Sequence, residues 1–203
     1  MTYTPPLKGE KVPLNHTLKA RERIIVGLSW DAREDKVSFL GKLTKTDSQH
    51  DLDISCYIYN QHGEFIDYVG AEAQDSVDES GKIYHSGDDM SGAGDGDDES
   101  ISAELAGLPI DVHGIVFLID IRSNHVFADV EAVACRLADG MTDDNLLEIN
   151  VSAEEGKDRN AFVMCSIFRD EDSPTGWKLY NISEYPDIST IEDWGSYLAQ
   201  FVD

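Results

Sequence analysis

From Arg23 onward the chain alternates short apolar runs rich in Val, Ile, Phe and Tyr with clusters of Gly, Asp, Asn and Ser. That spacing predicts an all-β sandwich or barrel. Nine runs read as strands: RIIVGLSW, DISCYIYN, EFIDYV, SISAEL, GIVFLIDI, EAVACRL, LLEINV, AFVMCSIF and WKLYNI. Between the second and third lie Gln61, His62 and Gly63, where Gly63 can take the positive φ of a tight hairpin, so those two strands should pair antiparallel. GIVFLIDI is almost continuously apolar and belongs at the centre of a sheet covered on both faces. EFIDYV alternates and belongs nearer an edge.

The first 22 residues carry three of the six prolines and no strong period, which suits an extended arm laid along the sheet. At the other end Ser189 and Glu192 match a capping box, and Ile191, Trp194, Leu198 and Phe201 recur at three- and four-residue spacing. A helix over 187–203 is therefore expected, its apolar stripe covering one face or end of the sandwich. The fold class expected is an antiparallel β-sandwich with a short C-terminal helix, one domain over residues 1–203.

Charge adds a constraint. Forty acidic residues against 16 basic ones give a formal net charge of −24, which repels nucleic-acid phosphates and anionic membrane surfaces. Disorder is a common outcome of such acidity, but seven Phe, eight Tyr and three Trp provide a core that disordered chains lack. No apolar stretch approaches the roughly 20 residues of a spanning helix, and MTYTPPLKGEK has no apolar signal core, so a cytoplasmic location is expected. Cys56, Cys135 and Cys165 are far apart, odd in number and set in apolar runs, as buried thiols of a reducing compartment would be.

The charge is also concentrated. GDDMSGAGDGDDE places Asp88, Asp89, Asp95, Asp97, Asp98 and Glu99 within 13 residues with no Lys or Arg among them. Unit charges about 4 Å apart repel by roughly 4 kcal/mol at an effective dielectric near 20, so the segment favours either extension or a bound cation. Gly87, Gly92, Gly94 and Gly96 permit the tight turns that converge side-chain and carbonyl oxygens, which a merely solvated loop does not need. Oxygen donors in excess select calcium, which takes six to eight oxygens in flexible geometry. Asp51 and Asp53 of HDLDIS, two residues apart, share one face of an extended strand and can complete the site. Asp31, just after GLSW, is a further candidate, and the surplus of carboxylates suggests two calcium ions. Counting from Asp88 as an EF-hand puts Met90, Gly92 and Ala93 where the third, fifth and sixth positions need other residues, and no tandem copies support a calcium-binding β-helix.

These stretches resemble the TerD family of bacterial tellurium-resistance and chemical-stress proteins. LKGEKVPL, IIVGLSWD, DLDISCYIYNQHG, YHSGDDMSGAGDGDDESI and DVHGIVFLIDI follow the family's order, and AFVMCSIFRDEDSPTGWKLYNI looks like its closing hairpin with a charged insertion. The family's acidic pattern runs GDN, then GxGDGDDE; here Asp89 stands where asparagine is usual. The resemblance implies a calcium-binding β-sandwich and, as candidate ligands, Asp31, Asp51, Asp53, Asp88, Asp89, Asp95, Asp97, Asp98 and Glu99, with Gly96 inside the same loop.

The function expected is a calcium-dependent protein-interaction or scaffold domain of the stress-response type, its partner a protein. The rival is a metal-assisted hydrolase using the acidic cluster. Against it, no nucleophile or proton shuttle recurs beside the loop, and a metal saturated with protein oxygens has no open position for substrate. The histidines His16, His50, His62, His85, His113 and His125 show no metal-binding spacing and are expected in turns or at strand ends.

Overall fold

Alternating apolar positions fold here as two facing antiparallel sheets. The protein is described from a computed structural model, which places residues 4–17, 22–31, 50–87 and 96–203. The strands are β1 (Lys11–Pro13), β2 (Arg23–Ser29), β3 (Leu52–Tyr59), β4 (Phe65–Val69), β5 (Ile83–His85), β6 (Glu99–Glu104), β7 (Gly114–Ile121), β8 (Ala134–Asp139), β9 (Asn145–Asn150), β10 (Ala161–Arg169) and β11 (Trp177–Glu184). One sheet has the order β1-β11-β10-β7-β3-β4, the other β5-β6-β2-β8-β9.

Side-chain alternation sets the layers. Leu52, Ile54, Cys56 and Ile58 of β3 and Ile115, Phe117, Ile119 and Ile121 of β7 meet Ile24, Val26 and Leu28 of β2 in the core between the sheets. The other face of the first sheet carries Tyr59, Val116, Leu118, Val163 and Ile182, and Leu198, Phe201 and Val202 cover it. β7 is thus apolar on both faces because both are covered, as its unbroken apolar run predicts. β3 and β4 form the expected hairpin, with Gly63 at φ +71°, and β4 is the edge strand.

Two elements differ from expectation. The helix predicted over 187–203 is one short α-helix, α1 (Trp194–Leu198), between 3₁₀ turns at Ile188–Thr190 and Ala199–Phe201. The effective cap is Asp193, which accepts the Ser196 N–H at 2.6 Å. Ser189 instead donates its N–H and hydroxyl to Asp187, at 3.1 and 2.6 Å, which closes a separate turn. The competing cap one turn earlier captures Ser189, and the chain is extended again at Ile191. Part of the expected stripe lands: Leu198 and Phe201 are buried and Trp194 packs beside them, whereas Ile191, in extended backbone, is only half-buried. The N-terminal arm lies along the sheet, where β1 pairs with β11. The three cysteines are free and buried. No helix among the described residues is long and apolar enough to cross a membrane.

Candidate functional site

The acidic loop leads into β6 through Gly96, at φ +102°, and the three acids that follow diverge. Asp98 is tied along β2: its N–H donates to the Leu28 carbonyl at 2.8 Å and its carboxylate accepts the Trp30 N–H at 3.0 Å. Glu99 turns inward and its side chain has no exposure. Beyond the last β4 pair, Cys56 with Val69, the start of β3 has no β4 neighbour, and Glu99 accepts the Ile54 N–H there at 3.1 Å. The same oxygen lies 3.3 Å from His85 Nε2.

Asp97 goes the opposite way, onto the outer face of the second sheet. Arg136 of β8 donates to both its oxygens, Nε at 2.9 and 3.1 Å and Nη2 at 2.9 Å. Directly opposite Arg136 in register stands Gly27 of β2, and the Asp97 carboxylate fills the space where a side chain on Gly27 would be. Nη1 of Arg136 donates to Asp143 at 2.9 Å and to Asn145 at 3.1 Å. Asp143 and Asn145, at the β8–β9 connection, are thus engaged by the same arginine.

On the first sheet Asp53 and Asp120 face each other across the β3–β7 pair, on the side away from the core. Arg122 Nε lies 2.6 Å from Asp53 and 3.0 Å from Asp120. Burial, and next the charge of Glu99, push Asp53 up to about 6 against the pull of Arg122. Burial likewise pushes Asp120 up to about 6, with Asp53, Glu99 and Asp51 adding to it. The charges of Glu99 and Asp51 thus reach Asp53 and Asp120 at this end of the sandwich.

Among the expected site residues, the fold brings Asp51, Asp53 and Glu99 into one neighbourhood and adds Asp120. Asp31 is exposed, its N–H donating to the Glu131 carbonyl at 3.0 Å. Asp97 and Asp98 flank the neighbourhood on other surfaces, and Asp88, Asp89 and Asp95 lie outside the described residues. Among the described residues no group of three or more His, Cys, Asp or Glu is placed to hold a metal ion. Sequence reasoning missed Asp120, Arg122 and Arg136. The only signal for Asp120 was a lone acid inside an otherwise apolar strand.

The family model described as the TerD domain matches residues 6–185. The chain belongs to the TerD family. A tellurium resistance protein TerZ of Serratia marcescens is 34% identical over 133 residues, 66% of this chain and 67% of the relative. A TerD of Alcaligenes sp is 33% identical over 153 residues, 70% of each chain, and general stress protein 16U of Bacillus subtilis is 28% identical over 174, covering 80% and 81%. The crystal structure of a TerD homologue from Streptomyces coelicolor superposes with a TM-score of 0.66 at 20% identity, covering 89% of this chain and 96% of that one. That likeness extends the TerD assignment to the fold. The family is thus one of tellurium-resistance and stress proteins, and the sandwich is its fold.

Proposed function

We infer that this TerD protein is a calcium-binding stress-response module that acts as a calcium-dependent protein-interaction or scaffold domain. The observation that carries the reading is the crowding of Asp51, Asp53, Asp120 and Glu99 beside the point where the acidic glycine loop joins β6. Burial, with the charges of neighbouring carboxylates adding to it, raises the proton affinity of Asp53 and Asp120, and a cation beside them would relieve that cost. The donors are oxygens without thiolates, the set a hard cation takes. Asp51, Asp53 and Glu99 would hold it together with Asp88, Asp89 and Asp95 of the loop, and the number of acids favours two ions. Bound calcium would supply the positive charge that lets the loop settle against the sandwich and present a partner surface.

A ligand that binds only the folded form stabilises it by about 2.7 kcal/mol at a hundredfold excess over its dissociation constant. Calcium should therefore raise the melting temperature of chelator-treated protein well beyond magnesium at the same concentration. Equal shifts would remove the selectivity, and no shift with calcium would remove the site. Pull-downs from stressed cells with and without chelator test the second half: a partner retained equally in both denies that calcium controls the interaction.

A further inference from the structure

Asp97, at the described end of the acidic loop, has both oxygens taken by a guanidinium. It lies on the outer face of the second sheet, on the opposite side of the strand layer from buried Glu99, with side-chain exposures of 18% for Asp97 and 26% for Arg136. Gly27 interrupts the interior of β2, where glycine ordinarily weakens a strand and often marks a close approach of another group. The group here is the Asp97 carboxylate, which rests in the gap left by the absent Cβ. Arg136 in turn is braced by Asp143, a non-glycine residue at φ +60°, and by Asn145 at the start of β9. Three segments distant in sequence are thus built around one contact.

We propose that Arg136 is a positioning residue for the calcium site: it straps the end of the acidic loop to the second sheet through Asp97, over Gly27, and Asp97 itself ligates no metal. This rests on the calcium reading above. The strap holds residues 96–98 in place before calcium arrives, so that binding need not order them, and preorganisation of this kind appears directly as affinity. Two adjacent acids, Asp98 and Glu99, are then delivered to their own partners on β2 and β3.

The strap and plain electrostatics predict opposite signs. Arg136→Met removes a positive charge from a strongly acidic region, so charge alone would tighten calcium binding; loss of the strap weakens it. Calcium titration by calorimetry on full-length folded protein should show roughly tenfold weaker binding for Arg136→Met, about the scale of one lost positioning contact. Gly27→Ala leaves the charge unchanged but evicts Asp97, and should weaken binding similarly. Arg136→Lys, which keeps the charge but not the fork, should recover part of the affinity. Asp97→Asn, which loses a negative charge as well as the strap, should weaken binding more than Arg136→Met without abolishing it, and the double variant should fall between the two single ones, because both remove the same strap.

The proposal is overturned if Arg136→Met and Gly27→Ala, folded by circular dichroism, bind calcium within twofold of the parent or more tightly. Abolition of binding by Asp97→Asn while Arg136→Met still binds would overturn it too, by making Asp97 a ligand. If Arg136→Met does not fold, Gly27→Ala and Arg136→Lys decide by the same criteria. Failure of the parent protein to bind calcium would sink the calcium reading and this inference together, whereas a parent that binds with unaffected variants sinks the inference alone.

Discussion

The Glu99 carboxylate on β6 accepts the Ile54 N–H on β3 at 3.1 Å, a side chain of one sheet satisfying a backbone donor of the other. An unmade bond to a buried N–H costs about 1–3 kcal/mol, more than the bond is worth when exchanged with water. Glu99→Ala should therefore lower the stability of calcium-free protein by about that amount in urea denaturation with chelator present. Glu99→Gln keeps an acceptor and should lose less. An alanine variant as stable as the parent without calcium would deny this structural role.

Arg169 at the end of β10 holds the segment that precedes β7. Its guanidinium lies 4.7 Å over the Trp177 ring, and its Nε donates to the Val112 carbonyl at 2.7 Å. Arg169→Ala leaves that acceptor bare and should cost about 1–3 kcal/mol. Arg169→Lys retains a charge but neither the planar stack nor the fork, so it should recover only part of the loss, again read by denaturant midpoint.

Asp139 gives a pH signature. Burial would push its carboxyl up, but the N–H groups of Met141, Thr142 and Thr17 and the Thr17 hydroxyl outweigh it and hold the group below the ordinary carboxylate range. A lowered carboxyl stabilises the fold above its unfolded value, near 3.8, and that contribution disappears as pH falls through its folded value. The stability gap between the parent and Asp139→Asn should be constant from pH 5 to 8 and shrink below about pH 4. A gap that widens on acidification would contradict the assignment.

The thiols of Cys56, Cys135 and Cys165 are pushed well above their ordinary range by burial. The thiolate is the reactive form. A disulfide reagent such as DTNB should thus leave all three untouched in native protein and modify all three in guanidinium. Rapid labelling of any one under native conditions would show that its surroundings open.

Much of this architecture is readable along the chain, because β alternation is local: each of the nine runs became a strand, and the continuous apolarity of Gly114–Ile121 identified the central one. β1 and β5, three residues each, are too short to show a period, and pairing with a neighbour makes them strands. The helix misread came from Ser189 and Glu192, which match a capping box although Ser189 is held by Asp187 and Asp193 starts the helix. At the site, acids are visible as composition but their counter-charges are not. Arg122 and Arg136 become partners only through register, which sets Asp53 against Asp120 and Gly27 against Arg136.

The divergence of Asp97, Asp98 and Glu99 bears on how relatives should be aligned. The three acids look interchangeable by charge, yet each reaches a different place: an outer sheet face, the end of β2 and the interior. Inserting or deleting one residue between Gly96 and Ser100 would preserve almost the whole acidic character while sending every carboxylate to a wrong surface. For relatives with altered spacing here, the test of shared behaviour is whether a small residue and an arginine still stand opposite each other on the neighbouring strands, and not how many acids the loop contains.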